Sequence, residues 1–305
     1  MTDSKPPQDD GNGSAGDSSA DRNGARWFAP DLLDGRTALI TGGGSGLGRE
    51  MAMTFARLGA NLAICGRREN LLDETASAIE SETGVRVVTH GCDLRKPDAI
   101  DAMLDALFDE LPIDILVNNA AANFVARSET LSHRALDAIV EPTLMGAANT
   151  TFGCGKRWLE TERRATVLSI VTSYAWHGSP FVVPSAMAKA GLLAMTRSLA
   201  SEWGPRGVRL NALAPGAFPT KGAWERLLPD PEIAREHETG NSLGRPGEPE
   251  ELATLAAFLV SDASAYMQGE CVTIDGGRWP YMAGTFSDMH ALSEDDWQAM
   301  VPSKR

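Results

Sequence analysis

Three side chains between residues 174 and 189 have the types and spacing for proton-transfer chemistry. Ser185 stands four residues before Lys189, so both lie on one helical face, where a lysine cation lowers the pKa of a neighbouring acid. A serine hydroxyl is short and very weakly acidic, so Ser185 is a much poorer proton donor than a tyrosine at the same position would be. Tyr174, fifteen residues before the lysine, follows an apolar run and offers a phenol. Two interpretations of Tyr174 stay open: it is the proton donor in place of residue 185, or it is a half-buried aromatic residue that only packs.

A glycine-rich turn near the N-terminus has the context of a phosphate-binding site. In "LITGGGSGLGRE", Gly42, Gly46 and Gly48 follow an apolar run and open a helical pattern. Glycines let the backbone approach a pyrophosphate, and a helix N-terminus supplies unpaired N–H groups and positive potential. The alternative is a tight turn without a ligand. The pattern predicts a dinucleotide cradle whose remaining members are Gly44, Ser45 and Leu47.

Charges after the next two predicted strands indicate which dinucleotide is bound. Nineteen residues after Gly48, Arg67 and Arg68 stand where an NAD enzyme places a carboxylate against the ribose 2′-hydroxyl. Guanidinium groups suit the 2′-phosphate of NADP instead, unless they are only solvated charges of a first helical turn. Asp93, followed by Leu94, is placed to accept from the adenine amino group or, equally, to cap a helix. The sequence therefore predicts NADP(H) as cofactor.

The elements that must position these groups alternate between strands and helices. Seven β-rich runs are present: RTALIT, NLAICG, VRVVTH, DILVNN, TVLSIV, VRLNAL and CVTIDG. Amphipathic stretches lie between them, at residues 48–58, 69–81, 97–111, 132–151 and 186–203. This alternation predicts the α/β class, with a single Rossmann-like, doubly wound parallel sheet of about seven strands and helices on both faces.

Charge and composition restrict the partners. The formal net charge of -13 argues against non-specific binding to nucleic acid or to an anionic membrane surface. The four cysteines form no C-x-x-C pair and the five histidines show no ligand spacing, so we expect neither a disulfide framework nor a metal. We expect a cytoplasmic protein, because the sequence lacks a membrane-length apolar run and the apolar stretch of a secretory signal.

The chain divides into a tail and one domain. Residues 1–25 are rich in Gly, Ser, Asp and Pro and have too few apolar groups to offset the entropy of ordering, so we expect a disordered tail. Residues 26–305 are expected to form one domain with a C-terminal extension after residue 277. That extension would either close the active site or reach a neighbouring subunit.

Four motifs, taken in order, resemble those of the short-chain dehydrogenase/reductase family. They are T-G-x-x-x-G-x-G at 41–48, N-N-A-A at 118–121, Lys189 on a later helix, and A-P-G at 214–216. The resemblance implies a nicotinamide cofactor with Asn119 beside it and Lys189 on its ribose hydroxyls. It also implies a homo-oligomer, commonly a tetramer built through the later helices. Near the carboxamide it implies contacts from Pro215, Gly216, Ala217 and Phe218.

The departures from the family pattern resemble one subgroup, the NADPH-dependent 2,4-dienoyl-CoA reductases. Typical family members have a tyrosine where Ser185 stands and an asparagine where Thr143 stands in T-L-M-G. In this subgroup the tyrosine comes instead from the end of the fifth strand, and a serine takes its usual place. The segments at 118–124, 219–227 and 283–297 also match.

The subgroup implies a role for each departure. Tyr174 and Asn123 would hold the substrate oxygen in an oxyanion hole, with Ser185 in support and Lys189 on the ribose. The implied reaction is reduction of a 2,4-dienoyl-CoA thioester to a 3-enoyl-CoA, an auxiliary step in the β-oxidation of unsaturated fatty acids. Contacts with the acyl-CoA substrate are implied for Arg67, Phe124, Ser132 and Arg226.

Two other functions stay open at this point. One is a reductase of the same scaffold that acts on another conjugated enoyl thioester or enone. The other is a catalytically silent subunit that binds cofactor, which the loss of tyrosine at position 185 favours. The joint presence of Asn123, Tyr174, Ser185 and Lys189 favours an active enzyme, because a decaying site has no reason to keep a substitute donor.

Overall fold

Seven strands form one sheet in a computed structural model that describes residues 27–220, 227–228 and 230–300. The strands are β1 Thr37–Thr41, β2 Asn61–Gly66, β3 Val87–Gly91, β4 Ile115–Asn118, β5 Ala165–Ile170, β6 Val208–Pro215 and β7 Cys271–Ile274. Their order is β3-β2-β1-β4-β5-β6-β7, and all neighbouring pairs are parallel. The predicted doubly wound fold is confirmed. The predicted tail and Arg226 lie outside the described residues.

Helices lie between and after the strands. They are α1 Gly46–Arg57, α2 Glu69–Thr83, α3 Pro97–Glu110, α4 His133–Val140, α5 Gly146–Glu160, α6 Tyr174–His177, α7 Val183–Trp203, α8 Pro231–Thr239, α9 Pro249–Val260, α10 Arg278–Ala283 and α11 Glu294–Met300. No helix of the described residues is long and apolar enough to cross a bilayer.

One predicted helix is divided in the structure. The sequence predicts a continuous helix over 132–151, whereas α4 and α5 are separated by a wider π-helical turn at Glu141–Met145. Pro142 lies in this turn, and a proline inside a helix removes a backbone donor and clashes with the preceding turn. The wider turn places Thr143, which is fully buried, against the loop after β4.

Two apolar layers enclose the sheet. β1 and β5 are buried along their whole length, as expected where helices cover both faces of a parallel sheet. On one face, Phe55 of α1 and Leu252 of α9 belong to one cluster. On the other, Leu104 of α3 and Trp158 of α5 belong to a second cluster, and the indole Nε1 of Trp158 donates to the Ile113 carbonyl at 2.8 Å. Both layers hold the carboxyl ends of the strands in fixed register.

Those carboxyl ends define the functional edge. The chain winds outward in opposite directions from β1 and β4, which are neighbours, and ligands of doubly wound sheets bind at such a switch point. β1, β4, β5 and β6 end at Thr41, Asn118, Ile170 and Pro215. The segments that follow these four residues carry the glycine turn, Asn119, Asn123, Tyr174 and residues 216–218.

Candidate active site

The glycine turn between β1 and α1 has a backbone that side chains would disrupt. Gly42 and Gly46 have φ angles of 69° and 54°, in the left-handed region. A Cβ atom on Gly48 would lie 2.4 Å from the Gly42 carbonyl oxygen. The turn therefore offers bare backbone and the N-terminus of α1 at the switch point, with Gly44 and Leu47 inside it. These groups fit the pyrophosphate of a dinucleotide.

Two arginines follow β2 beside this turn. Arg68 donates through Nη2 to the Ser45 hydroxyl oxygen at 3.0 Å, so its guanidinium lies at the rim of the turn. The Ser45 side chain makes no capping bond to α1, which leaves it available to a ligand oxygen. Arg67 is exposed beside it. Contact of either arginine with a 2′-phosphate stays a prediction.

The predicted adenine contact, Asp93, already has a strong partner. Arg95 donates through Nε to both carboxylate oxygens, at 2.9 and 3.0 Å, and its backbone N–H donates at 3.2 Å. These bonds lower the pKa of Asp93 to about 2 and keep it ionised. Asp93 therefore orders the loop after β3, where Leu94 is buried. A bond from an adenine amino group would add to this arrangement and stays a prediction.

Asn119 ties β4 to the glycine turn. Its Nδ2 donates to the Thr41 carbonyl at 2.9 Å, and its backbone N–H donates to the Thr41 hydroxyl oxygen at 3.0 Å. The backbone N–H of Ala120 shares that hydroxyl at 3.0 Å, and the hydroxyl in turn donates to the Val117 carbonyl at 3.2 Å. Thr41 thus organises the cofactor edge. The sequence did not predict this role for Thr41, which is a buried residue of β1.

The segment after β6 closes the cofactor edge. Gly216 donates through its backbone N–H to the Ile274 carbonyl at 2.9 Å, and a Cβ there would lie 2.7 Å from Cα of Asp275. Ala217 and Phe218 are buried, and Pro215 ends the strand. The predicted carboxamide contacts are therefore held close to the end of β7. A ligand would contact the backbone of this segment, because the side chains of Ala217 and Phe218 are buried.

Lys189 lies on α7 beneath the same edge. Its side chain is buried, and Nζ donates to the carbonyl of Ile170, the last residue of β5. Burial lowers the pKa of this ammonium group to about 8. Within the described part of the chain its partner is this neutral carbonyl and not a carboxylate, so its remaining donors could reach the hydroxyl groups of a bound ribose.

The displaced tyrosine and the serine meet. The phenolic oxygen of Tyr174 lies 3.0 Å from Oγ of Ser185. The Asn123 amide Nδ2 approaches the same phenolic oxygen at 3.4 Å. Three segments of the chain therefore converge on one hydroxyl group: the loop after β4, helix α6 and the start of α7. The sequence placed Tyr174 at the end of β5, whereas β5 ends at Ile170 and Tyr174 begins α6.

The environment keeps this phenol protonated. Burial raises the pKa of Tyr174 above its usual value, and hydrogen bonds with the side chains of Ser185 and Thr172 act in the opposite direction. A phenol that stays neutral can donate a hydrogen bond to a developing oxyanion. Thr172 was missed by the sequence analysis, although its place between β5 and Tyr174 is the signal that would have found it.

Thr143 has a different role from the asparagine that it replaces. Its hydroxyl oxygen accepts from the backbone N–H of Ala122 at 3.1 Å. This bond supports the loop one residue before Asn123, whose own Oδ1 accepts from the Phe124 backbone N–H at 2.9 Å. Asn123 is therefore held with its Nδ2 group toward Tyr174. The loss of the usual helix asparagine coincides with a support for the new donor.

The other predicted substrate contacts are placed less directly. Phe124 follows Asn123 and is half-buried. Ser132 is exposed and caps α4, where its hydroxyl oxygen accepts from the Ala135 backbone N–H at 3.2 Å. No measured contact links Ser132 with Tyr174, and Arg226 lies outside the described residues. Substrate contacts by these residues stay predictions.

Comparison with known proteins shows which family this chain belongs to. A family model described as "Enoyl-(Acyl carrier protein) reductase" matches residues 42–278. A Caenorhabditis elegans protein named probable 2,4-dienoyl-CoA reductase 3, (3E)-enoyl-CoA-producing, is 42% identical over 87% of this chain and 88% of its own. A Bacillus subtilis (strain 168) protein named probable 2,4-dienoyl-CoA reductase, (2E)-enoyl-CoA-producing, is 38% identical over 82% of this chain and 99% of its own.

Solved structures agree with the sequence comparisons. A short chain dehydrogenase from Bacillus anthracis has a TM-score of 0.73 at 38% identity and covers 82% of this chain and 98% of its own. A candidate NAD(P)-dependent gluconate 5-dehydrogenase from Beutenbergia cavernae, with NADP bound at low occupancy, has a TM-score of 0.77 at 33% identity over 82% of this chain and 99% of its own. The chain therefore belongs to the short-chain dehydrogenase/reductase family, whose members are oxidoreductases that use a nicotinamide cofactor.

Proposed function

We propose that this protein reduces 2,4-dienoyl-CoA thioesters to 3-enoyl-CoA with NADPH, an auxiliary step in the β-oxidation of unsaturated fatty acids. The observation that carries the proposal is the meeting of Tyr174, Ser185 and Asn123 at one phenolic oxygen. The names of the relatives from Caenorhabditis elegans and Bacillus subtilis support the same substrate class.

The chemistry of a conjugated thioester explains why the donor is displaced. Hydride addition at the distal alkene carbon sends an electron pair through the conjugated system to the thioester oxygen, several atoms away. When bound, the reduced nicotinamide supplies that hydride. The residues must therefore stabilise negative charge far from the reacting carbon. A hydrogen-bond donor at Tyr174, farther along the cleft than position 185, is better placed to stabilise that distant negative charge than a donor beside the nicotinamide.

The site residues divide the work between them. Tyr174 O–H and Asn123 Nδ2–H act as the two donors of an oxyanion hole for the dienolate oxygen. Ser185 holds the phenol through the 3.0 Å contact, and Lys189 orients the ribose from beneath. Burial raises the pKa of this phenol, which favours its neutral, hydrogen-bond-donating form. In the proposed reaction, water protonates the α-carbon. Protonation at that carbon leaves the double bond at C3.

The position of the final proton separates two kinds of relative. The Caenorhabditis elegans protein is named as producing the (3E)-enoyl product and the Bacillus subtilis protein as producing the (2E)-enoyl product. Protonation of the same dienolate at C4 instead of C2 would give the second product. We propose the 3-enoyl product for this chain, in line with the printed name of the Caenorhabditis elegans relative, which is 42% identical to it.

The preference for NADPH rests on Arg67 and Arg68. Both guanidinium groups follow β2, and the Ser45 contact places Arg68 at the rim of the phosphate turn. In the described residues, the two arginines and not a carboxylate directly follow β2, where a carboxylate would favour a free ribose 2′-hydroxyl. The next residue, Glu69, is a carboxylate but already belongs to α2. The solved relative from Beutenbergia cavernae holds NADP.

A homotetramer is the proposed assembly. Apolar side chains on α5 and α7 are left open to solvent, among them Phe152, which is 49% exposed, and Met187, which is 55% exposed. Large apolar groups on the outer faces of helices are typical of surfaces that bury each other in an oligomer. Light scattering after size exclusion would give a mass of four chains; a mass of one chain would contradict the assembly.

A cytoplasmic location is proposed from the thiols. All four cysteines are unpaired, and Cys65, Cys92 and Cys154 are buried, as suits a reducing compartment. Relatives from Mus musculus and Danio rerio are named peroxisomal, so organelle fractionation is the appropriate test. Recovery of the enzyme with the organelles would contradict the proposed location.

The substrate assay tests the activity directly. NADPH oxidation is followed with trans-2,4-hexadienoyl-CoA and 2,4-decadienoyl-CoA, beside crotonyl-CoA and beside NADH, and the product double bond is located by NMR. We expect turnover confined to the dienoyl substrates with NADPH and a 3-enoyl product. Turnover of crotonyl-CoA at a comparable rate would favour the broader enoyl reductase. Binding of NADPH without turnover of any of these substrates would favour the silent subunit.

A further inference from the structure

The helix that carries Tyr174 is too short to be stable alone. α6 contains four residues, Tyr174–His177, and ends at Gly178, whose φ of 74° reverses the chain. A single helical turn fixes several backbone dihedral angles for very few hydrogen bonds, so it must be held by contacts outside itself. At its first residue the phenol provides such contacts through Ser185 and Asn123.

At its last residue, α6 is held by the C-terminal segment. The imidazole of His177 stacks on the indole of Trp279, with 4.1 Å between the ring centroids and 10° between the planes. Trp176 meets the same imidazole edge-on at 6.2 Å. The stack joins residues that are 102 positions apart in sequence. Aromatic pairs in such geometry stabilise a contact beyond the apolar area that they bury.

Trp279 is itself fixed to the end of β7. Its backbone N–H donates to Oδ2 of Asp275 at 3.0 Å, and Oδ1 of the same carboxylate accepts from the Gly277 backbone N–H at 2.9 Å. The preceding residue, Arg278, donates to the carbonyls of His237 and Gly240 at 2.8 and 3.1 Å. Trp279 is therefore a rigid anchor, although 40% of its surface is exposed.

We propose that Trp279 is a positioning residue, which holds the phenol of Tyr174 in the oxyanion hole by stacking on His177. The inference rests on the proposed function, because it assigns Trp279 a role in the same reaction. Without the stack, the first half of α6 keeps the bonds of the phenol and the packing of Ala175 on the core, but its last residue loses its aromatic partner. Motion of that end of the turn then transfers to the phenolic oxygen at the other end. A displacement of about 1 Å in a positioned group can cost up to a hundredfold in rate.

The stack also assigns a place to the C-terminal extension. Residues after Gly277 contact the active-site turn of their own chain through Trp279. Of the two expectations, closing the active site and reaching a neighbouring subunit, the structure favours the first for α10. A merely pocket-lining tryptophan would affect substrate affinity, whereas a positioning residue affects the turnover number and the order of α6.

The test uses the full-length protein and two independent readouts. Trp279→Ala, Trp279→Phe and His177→Ala are compared with wild type, and Trp297→Ala serves as the matched control from the same extension. Trp297 is 44% exposed and has no ring partner among the described residues. The first readout is hydrogen exchange of residues 174–178 with NADPH bound, which requires no turnover. The second is kcat and KM for 2,4-decadienoyl-CoA.

We expect Trp279→Ala and His177→Ala to speed exchange of the turn and to lower kcat by about tenfold with little change in KM. Trp279→Phe should restore both readouts, and Trp297→Ala should alter neither. Unchanged exchange in Trp279→Ala would overturn the positioning role, as would a rise in KM alone. If wild type shows no dienoyl-CoA turnover, the proposed function fails, while the exchange data still decide whether the stack holds the turn.

Discussion

The cofactor turn and the proton-donor site lie at the same edge of the sheet but are specified differently. At the cofactor turn the backbone itself forms the site: Gly42 and Gly46 have left-handed φ angles, and Gly48 leaves no room for a Cβ. At the donor site the backbone only delivers three side chains from separate segments. Their hydrogen bonds to one another, at 3.0 and 3.4 Å, then define the geometry.

This difference explains which half of the site can be rearranged. A steric cradle tolerates little change, because each glycine is required either by its left-handed φ angle or by a close backbone neighbour. A donor held by side-chain contacts can move to another segment, provided that new contacts hold it there. Under the proposed function, Tyr174 supplies the phenol that position 185 lacks. Thr143, Thr172 and Trp279 would then support it. The proposed catalytic half therefore departs from the family pattern, whereas the glycine turn matches it.

The largest expected effect is at the cradle. Gly48→Ala would place a Cβ 2.4 Å from the Gly42 carbonyl, so the turn must shift and NADPH affinity should fall by about a hundredfold or more. The measurement is NADPH binding by calorimetry. Gly84→Ala is the control, because that residue also has a positive φ, of 72°, but ends α2 away from the turn. It should lose stability and keep its affinity; normal binding by Gly48→Ala would contradict the steric account.

The support of the phenol should be the next largest effect. Asn123→Ala removes one oxyanion donor and Ser185→Ala removes the 3.0 Å partner of Tyr174, so kcat should fall by about 10- to 100-fold in each. Steady-state kinetics with a dienoyl-CoA substrate measures this, with NADPH binding unchanged. Ser201→Ala, exposed on the same helix as Ser185, is the control. An unchanged kcat in Ser185→Ala would show that Tyr174 needs no partner.

Lys189 should destabilise the protein in the absence of cofactor. Its pKa is lowered to about 8 in the folded state and returns to its ordinary value of 10.5 on unfolding. Between these values the unfolded chain binds more protons, so stability rises with pH across that window and the penalty is fully present below about pH 8. Lys189→Met should therefore be more stable than wild type at pH 7, by up to about 3 kcal/mol.

Chemical denaturation of both proteins at several pH values tests this prediction. The advantage of Lys189→Met over wild type should shrink as the pH rises from about 8 to 10.5. The comparison with wild type at each pH removes the contribution of other titrating groups. An advantage that is constant with pH would show that Lys189 has an ordinary pKa.

The smallest effect is expected at the two arginines. Arg67→Ala and Arg68→Ala should each raise the KM for NADPH by about tenfold, because a hydrogen bond to a charged group contributes about 1.5–3 kcal/mol. The KM for NADH should change little, since it lacks the 2′-phosphate. Steady-state kinetics with both cofactors measures the ratio. Equal losses for NADH and NADPH would show that the arginines act on the turn rather than on the phosphate.

Periodicity and turn chemistry predicted the fold and the position of the glycine turn closely. β2 occupies the predicted residues 61–66, and all seven strands lie within two residues of their predicted bounds. The glycine turn was readable because its constraints are local. The division of the predicted helix at Glu141–Met145 was not predicted, although Pro142 is its visible signal.

The donor half was predicted only through the subgroup resemblance. Tyr174 and Ser185 are eleven residues apart, and their contact depends on the turn at Gly178. The Thr143 bond to Ala122 and the stack of Trp279 on His177 join residues that are distant in sequence and have no shared periodicity. Such tertiary contacts leave no local pattern. The sequence alone shows that position 185 lacks a tyrosine, but it does not show which residues support Tyr174.

The most direct test of the displaced donor is the kcat of Tyr174→Phe with 2,4-decadienoyl-CoA and NADPH. Tyr281→Phe is the matched control, because Tyr281 lies in the C-terminal segment and its ring stacks on His290. We expect a loss of about 100- to 1000-fold in kcat for Tyr174→Phe, with NADPH binding retained and Tyr281→Phe near wild type. A Tyr174→Phe enzyme that turns over dienoyl-CoA at the wild-type rate would contradict the account.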